Sequence, residues 1–308
     1  MDELTTAGTD VVQKVNRSPR QACVRRNLAR PVNGSGRPEL GMRDDLADAG
    51  FMGDSISVET TTLERIQPWR DMHRLEMSCQ ITHDSIHDRP GWTREYLLSV
   101  NDTPVGYASV AVGGPWTDQP TLYEVYVVPT QRLRVFDLFR AVLAVSKVVQ
   151  IEVQSNDVLA TVMLHTFAAQ VTTEAILFRD EMLTALAPAG AQFREPTASE
   201  APDVPTAHRC WCGVVEVDGT VAATGGILFH YNRPFGDIYM DVKEPFRRRG
   251  LGSFLVQELK RVCYEGGHVP AARCSPDNIA SQRTLQKAGF VPCGHILTGS
   301  VTLPSDGR

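Results

Sequence analysis

No apolar run in the 308-residue chain approaches the roughly twenty residues that a membrane-spanning helix requires. The amino end, MDELTTAGTDVVQKV, lacks the basic-then-apolar order of a secretory signal. Basic residues are not in excess either: 31 Lys and Arg stand against 36 Asp and Glu, and the pI near 5.9 argues against a nucleic-acid coat protein. Any cationic site must therefore be local. The seven cysteines (Cys23, Cys79, Cys210, Cys212, Cys263, Cys274, Cys293) are odd in number and scattered, which opposes a disulfide framework and favours a reducing compartment. A soluble cytoplasmic chain is the expectation. What is present is material for sizeable cores, 42 % hydrophobic residues, at a length that favours two packed units over one.

Residues 1–55 mix Arg, Asp, Gly, Pro and Asn without sustained apolar periodicity and read as a flexible tail. From Ile56 the pattern becomes regular. ISVET predicts a strand, and a capping-box-like Thr61 and Glu64 open a helix. EYLLSVNDTPVGYASVAVGG predicts two strands around a turn at Asn101-Asp102, and LYEVYVVP predicts a third strand ended by Pro129. LFRAVLAVSKVVQ reads as helix, IEVQS as strand and NDVLATVMLHTFAAQ as helix. The Pro- and Ala-rich stretch Ala187 to His208 marks a connection, after which the order returns. The second pass has a hairpin around Asp218-Gly219, the strand GDIYMDV, the helix LGSFLVQELKRVC, the strand AARCS, the helix SPDNIASQRTLQKAG and the closing strands FVPCGHILTGSV. Laying LYEVYVVPTQRLRVFD on DIYMDVKEPFRRRGLG matches Val127 to Val242 and Arg132 to Arg247, and sets Val135 against Gly250 and Asp137 against Gly252. Two copies of one fold follow, at 56–186 and 187–308, and only the second keeps the glycines.

That glycine turn, FRRRGLGS, ends a strand and opens a helix. Bare backbone there presents several N–H groups and the positive end of the helix dipole to one point, an arrangement suited to a pyrophosphate. A Walker loop would need Lys-Ser/Thr after Gly252, where Ser253-Phe254 stands; a dinucleotide fingerprint would need a third glycine at Leu255. What fits is V-x-x-x-x-R-x-x-G-x-G, filled by Val242, Arg247, Gly250 and Gly252. Here the sequence resembles the GNAT family of acyl-CoA-dependent N-acetyltransferases. A second family segment follows at Asn278-Ile-Ala280-Ser281 and Lys287-Ala-Gly289-Phe290.

The resemblance implies two tandem α/β (α+β) GNAT-like folds, each a mixed, mostly antiparallel sheet flanked by helices, the first copy degenerate. It also implies that the turn from Arg247 through Arg248, Arg249, Gly250, Leu251, Gly252 and Ser253 cradles the coenzyme A pyrophosphate. Asn278 and Ser281 would help hold the coenzyme, and backbone near Met240 to Val242 would polarise the thioester carbonyl of acetyl-CoA. The implied reaction is direct acetyl or acyl transfer in a ternary complex to an amine of an unidentified acceptor, without metal, nucleic acid or membrane. A non-catalytic acyl-CoA sensor or a scaffold module is the alternative.

For the chemistry, alternation along GDIYMDV places Asp237, Tyr239 and Asp241 on one face and Ile238, Met240 and Val242 on the inward one. Asp237 and Asp241 are the candidate bases, on a face expected to be solvated; a water chain is the other possibility. Relatives often carry a Glu at the position of Gly236 and a Tyr at the position of Leu285, so the proton donor to the thiolate is left to solvent, Tyr239 or Ser281. Cys263 and Cys274 fall in buried patterns and are poor nucleophiles. His83 and His87 read as a surface loop and Cys210-Trp211-Cys212 as strand core, neither with a zinc-spaced partner pair. The carboxy-terminal copy has too little chain between its first strand and its hairpin to roof an acceptor, so the acceptor cleft is expected between the copies.

Overall fold

Two tight hairpins at equivalent places set the repeat. Asn101 and Asp102 both adopt positive φ (50° and 59°), as do Asp218 and Gly219 (49° and 75°). These are the paired left-handed residues that match the twist of a two-residue hairpin, and Asn, Asp and Gly tolerate them best. The structure is a computed structural model that describes residues 53–80, 84–200 and 210–302; the tail expected at 1–55 lies almost wholly outside these.

The first half runs β1 (Ile56–Thr61), α1 (Leu63–Met77), β2 (Thr93–Val100), β3 (Thr103–Ala111), β4 (Thr121–Val127), α2 (Val135–Ser146), β5 (Gln150–Gln154), α3 (Val158–Phe167) and β6 (Ala168–Asp180). The second runs β7 (Ala191–Arg194), β8 (Cys210–Val217), β9 (Thr220–Leu228), β10 (Phe235–Val242), α4 (Leu251–Glu265), β11 (Val269–Cys274), α5 (Ile279–Lys287) and β12 (Phe290–Val301). Three local expectations change. The N-cap of α1 is Thr62, one residue later than the expected box. Helix α3 stops at Phe167, and the chain continues as the thirteen-residue strand β6, whose exposed Thr172, Thr173 and Glu174 disguise it. The connection after Ala187 contains β7.

The twelve strands of the described residues form one sheet in the order β1-β2-β3-β4-β5-β12-β6-β11-β10-β9-β8-β7. Among the described residues only β4/β5 and β10/β11 pair in parallel. The last strand of each half lies in the other half: β12 pairs with β5, β6 pairs with β11, and the two pair with each other. Helices α2 and α3 close one core over the first half around Leu138, Phe139, Leu164 and Phe167. Helices α4 and α5 close a second over the other half around Leu255, Leu259, Leu285 and Phe290. Helix α1 packs alone on the opposite face of the first half, with Ile66 against Leu97, Tyr107 and Tyr126. No helix among the described residues is long and apolar enough to cross a membrane.

Candidate active site

The site begins where two parallel strands part. β10 pairs with β11 from Phe235–Val269 to Ile238–Ala272, and pairs with β9 on its other side as far as Val242. Beyond Ile238 the two parallel strands no longer share a ladder, so the main chain of Tyr239 to Val242 keeps an unpaired edge.

The turn that follows aims backbone at the same place. Arg247 is extended, Arg248 has φ 63°, and Gly250, the N-cap of α4, has φ 81°, a conformation that favours glycine. The first helical hydrogen bond is donated by the Phe254 N–H to the Gly250 carbonyl, so the amides of Leu251, Gly252 and Ser253 lack an intrahelical acceptor at the positive end of the dipole. Arg247 Nε donates to the Val242 carbonyl at 2.9 Å and ties the turn to the strand end. Gly252 serves a different need. A Cβ there would stand 3.1 Å from Thr284 Cγ2 and 3.2 Å from Val242 Cγ2, so its absence lets α4 pack close to β10 and α5.

A cavity of about 820 Å³ opens over this turn, within the range of about 300–1,000 Å³ usual for ligand sites. Met240, Asp241, Val242, Arg247, Arg248 and Gly250 line it, joined by Leu251, Gly252, Ser253, Asn278 and Ser281. Arg249 is not in its wall; its guanidinium lies over the Phe246 ring at 5.6 Å. Two expected polar contacts are partly engaged inside the protein. Ser253 Oγ donates to the Thr284 carbonyl at 3.0 Å, and Asn278 Oδ1 accepts from the Ser281 N–H at 3.0 Å as the cap of α5. No coenzyme contact was expected of Arg283, or of Lys287 in the second family segment; the two sit one turn apart on α5 and reach the cavity. Four cations thus surround the open amides against the single carboxylate of Asp241. Lys287 Nζ stands 3.4 Å from the point where a Gly250 side chain would begin. An ammonium at the positive end of a helix is unfavourable alone, and a multiply charged anion between them relieves it.

A smaller cavity of about 270 Å³ shares Met240, Asn278 and Ser281 with it and is lined also by Asp237 and Arg273. Here the solvated face expected for Asp237 is corrected. Asp237 is only 5 % exposed, its Oδ2 3.3 Å from Arg273 Nε, and its Oδ1 has no hydrogen-bond partner. Burial raises its pKa to about 6, against the pull of Arg273. Arg273 also donates to the Tyr231 hydroxyl and lies over that ring at 4.6 Å. An arginine inside the apolar strand AARCS was the signal for this pair. Asp241 is exposed. The Tyr239 hydroxyl turns to Cys212 on β8 at 3.6 Å, and burial followed by that contact raises its pKa. Cys263 is fully buried with its pKa pushed up to about 12, and burial also raises Cys274. Among the described residues no cluster of metal-ligating side chains occurs.

The equivalent turn of the first half is built differently. Arg132 Nε donates to the Val127 carbonyl at 3.2 Å, as the repeat register requires. However, Val135 has φ −58° where Gly250 has φ 81°, and its N–H already bonds the Arg132 carbonyl. Asp137 pairs with Arg140 at 3.0 Å. Below, α1 seals the other face. Arg70 Nε meets Glu124 at 3.0 Å, Tyr107 donates to Glu124 at 3.0 Å, and His73 links Tyr107 to Asp157. His83 lies outside the described residues. His87 is buried rather than on a surface loop, with its two ring nitrogens at Glu95 and Tyr123. Burial opposes charge on its ring, but the bonds to Glu124 and Glu95 outweigh it and raise the pKa to about 9.

A parallel pair that loses its ladder, an open helix start and a cationic cleft converge at this one place. Residues 179–290 match the Acetyltransferase (GNAT) family model. No curated protein sequence matches. A GNAT-family acetyltransferase from Colwellia psychrerythraea superposes with a TM-score of 0.59 at 15 % identity, covering 80 % of this chain and all of that one. A tandem GNAT protein from the clavulanic acid biosynthesis pathway gives 0.55 at 13 %, covering 82 % of this chain and all of its own. A GCN5-related N-acetyltransferase from Sphaerobacter thermophilus gives 0.51 at 14 %, covering 82 % and 97 %. At such identities these likenesses speak for fold alone. The chain carries a GNAT-family domain within a tandem GNAT-type fold.

Proposed function

We propose that the protein is an N-acyltransferase that moves an acetyl or similar acyl group from coenzyme A to an amine in a ternary complex. In this reading 187–308 is the catalytic copy and 56–186 a degenerate one without a coenzyme site. The observation that carries the reading is the loss of the β10/β11 ladder after Ile238, beside the open amino end of α4 and between two cavities that share a wall. The pyrophosphate rests on the amides of Leu251 to Ser253 among Arg247, Arg248, Arg283 and Lys287. The thioester then lies along the unpaired edge of Tyr239 to Val242, whose N–H groups polarise its carbonyl.

Asp237 is the base, because it lines the acceptor end of the cleft and its pKa near 6 keeps it ionised and still basic at neutral pH. Starting from an ammonium, one proton passes to Asp237 and on to solvent. The nitrogen attacks the carbonyl carbon, the C–N bond forms, the C–S bond breaks, and the remaining excess proton ends on the thiolate sulfur. The two halves meet where Asn232 Nδ2 donates to the Cys79 carbonyl at 2.6 Å and Ser85 N–H donates to the His230 carbonyl at 3.1 Å, whereas the residues that line the smaller cavity all belong to the second half. Thiol release from acetyl-CoA by the full chain, followed across a panel of amines, tests the reading. Amine-independent or absent release, with acetyl-CoA bound, would select the sensor instead.

A further inference from the structure

Asp237 and Arg273 lie side by side without being fastened to each other. Their Oδ2 to Nε separation of 3.3 Å exceeds the roughly 2.7–2.9 Å of a charge-assisted hydrogen bond, and Asp237 Oδ1 has no partner, so the pair is not bidentate. Another group must hold the guanidinium. Tyr231 does so twice: its hydroxyl accepts from Arg273 Nη2, and the guanidinium lies over its ring at 4.6 Å. A long arginine side chain has many rotamers, and a hydrogen bond at its end together with a ring against its face selects one.

Tyr231 belongs to the connection between β9 and β10, and the residues on either side of it are both tied to the first half. The His230 carbonyl accepts the Ser85 N–H at 3.1 Å, and Asn232, only 1 % exposed, donates from Nδ2 to the Cys79 carbonyl at 2.6 Å. The Tyr231 side chain packs against Leu177 on β6 and Ile296 on β12, where those two strands pair. Contacts therefore run from first-half backbone through Tyr231 to Arg273 and the Asp237 carboxyl. The other ionisable groups nearby are His230, whose ring lies 4.3 Å from that of Tyr231, Glu152 on β5, which acts on Arg273 and Tyr231, and Tyr239 and Cys274 in the cavity wall.

Resting on the transferase reading, we infer that Tyr231 is a positioning residue for the base, holding the Arg273 guanidinium beside Asp237, and that the half without a coenzyme site supplies the anchor that keeps Tyr231 in place. The first half then has a part in the chemistry although the cavity at Asp237 is lined by the second half alone.

The test is the titration of the Asp237 carboxyl in the full chain, followed by carbon-13 NMR of aspartate-labelled protein and assigned by its disappearance in Asp237→Asn. Tyr231→Phe keeps the ring and removes the hydroxyl, so the midpoint, about 6 in the parent, should move up by about half a unit or more as the guanidinium is released. Asn232→Ala, outside the cavity, should move it in the same direction. The pH inflection of kcat/KM for thiol release should follow both, whereas a merely structural role would lower the amount of active protein and move neither. An unmoved midpoint in Tyr231→Phe overturns the positioning role, and an unmoved midpoint in Asn232→Ala overturns the anchor; both results leave the transferase reading intact. Shifted midpoints with no thiol release from any amine uphold the hold on Arg273 and overturn the transferase reading.

Discussion

Arg273 on β11 holds its Nε 3.3 Å from Asp237 Oδ2 on the neighbouring parallel strand, at the last stretch where the two strands remain paired. The guanidinium keeps an otherwise desolvated carboxyl from staying protonated at neutral pH. Burial alone would push Asp237 higher than about 6. The dependence of kcat/KM on pH should accordingly rise with unit slope to a plateau above about 6. Arg273→Gln should move that inflection upward, and Asp237→Asn should lower the plateau by about 10²–10⁴ while acetyl-CoA still binds. The linkage has the opposite sign for folding. An acid with a raised folded pKa contributes stability below its ordinary 3.8 that is lost as pH rises through about 6.

Coenzyme affinity should depend on α5 as well as on the glycine turn. Arg283→Ala and Lys287→Ala each remove a charge-assisted contact and should raise the acetyl-CoA Kd by about tenfold or more. Added salt should weaken the parent more than either variant. Arg249→Ala, whose side chain lies over Phe246, should leave Kd unchanged. Titration calorimetry at two salt concentrations measures all three.

Arg70 and Glu124 are both nearly fully buried beneath α1. Removing one partner of such a pair leaves an uncompensated charge, so Arg70→Ala should cost about 3–5 kcal/mol in urea unfolding. The unfolding midpoint, read at fixed pH, checks this directly.

His87 gives the same network an alkaline limit. Its folded pKa of about 9 exceeds the ordinary 6.5, so its contribution is full below 6.5 and is lost as pH rises through about 9. Stability of the parent should fall over that window, and His87→Gln should flatten the fall.

The turn was legible in the sequence because its geometry demands particular residues: glycine where φ is 81°, and an arginine five residues after Val242 to reach its carbonyl. Arg132 and Val127 repeat that bond, which is why one register of the alignment was enough to expose the repeat. Pairing between distant strands leaves no such local mark. Nothing in VTTEAILFRD states that β6 belongs beside β11, nor that FVPCGHILTGSV belongs beside β5. Alternation sets the side on which Asp237 projects, but its place beside Arg273 depends on the pairing of β10 with β11, which no local pattern announces. Nor does the motif itself say that a side chain at Gly252 would meet Thr284 and Val242.

The central claim, one coenzyme site placed in the second half and used for transfer, is tested most directly by calorimetric titration of the full chain with acetyl-CoA. The count should be one equivalent per chain. Gly250→Ala, which forces a side chain into a left-handed turn at a cost of about 1 kcal/mol, should weaken binding, while Val135→Gly in the first half should add no second site, because its amide is already bonded to Arg132. Two equivalents bound to the parent, or none, would contradict the account.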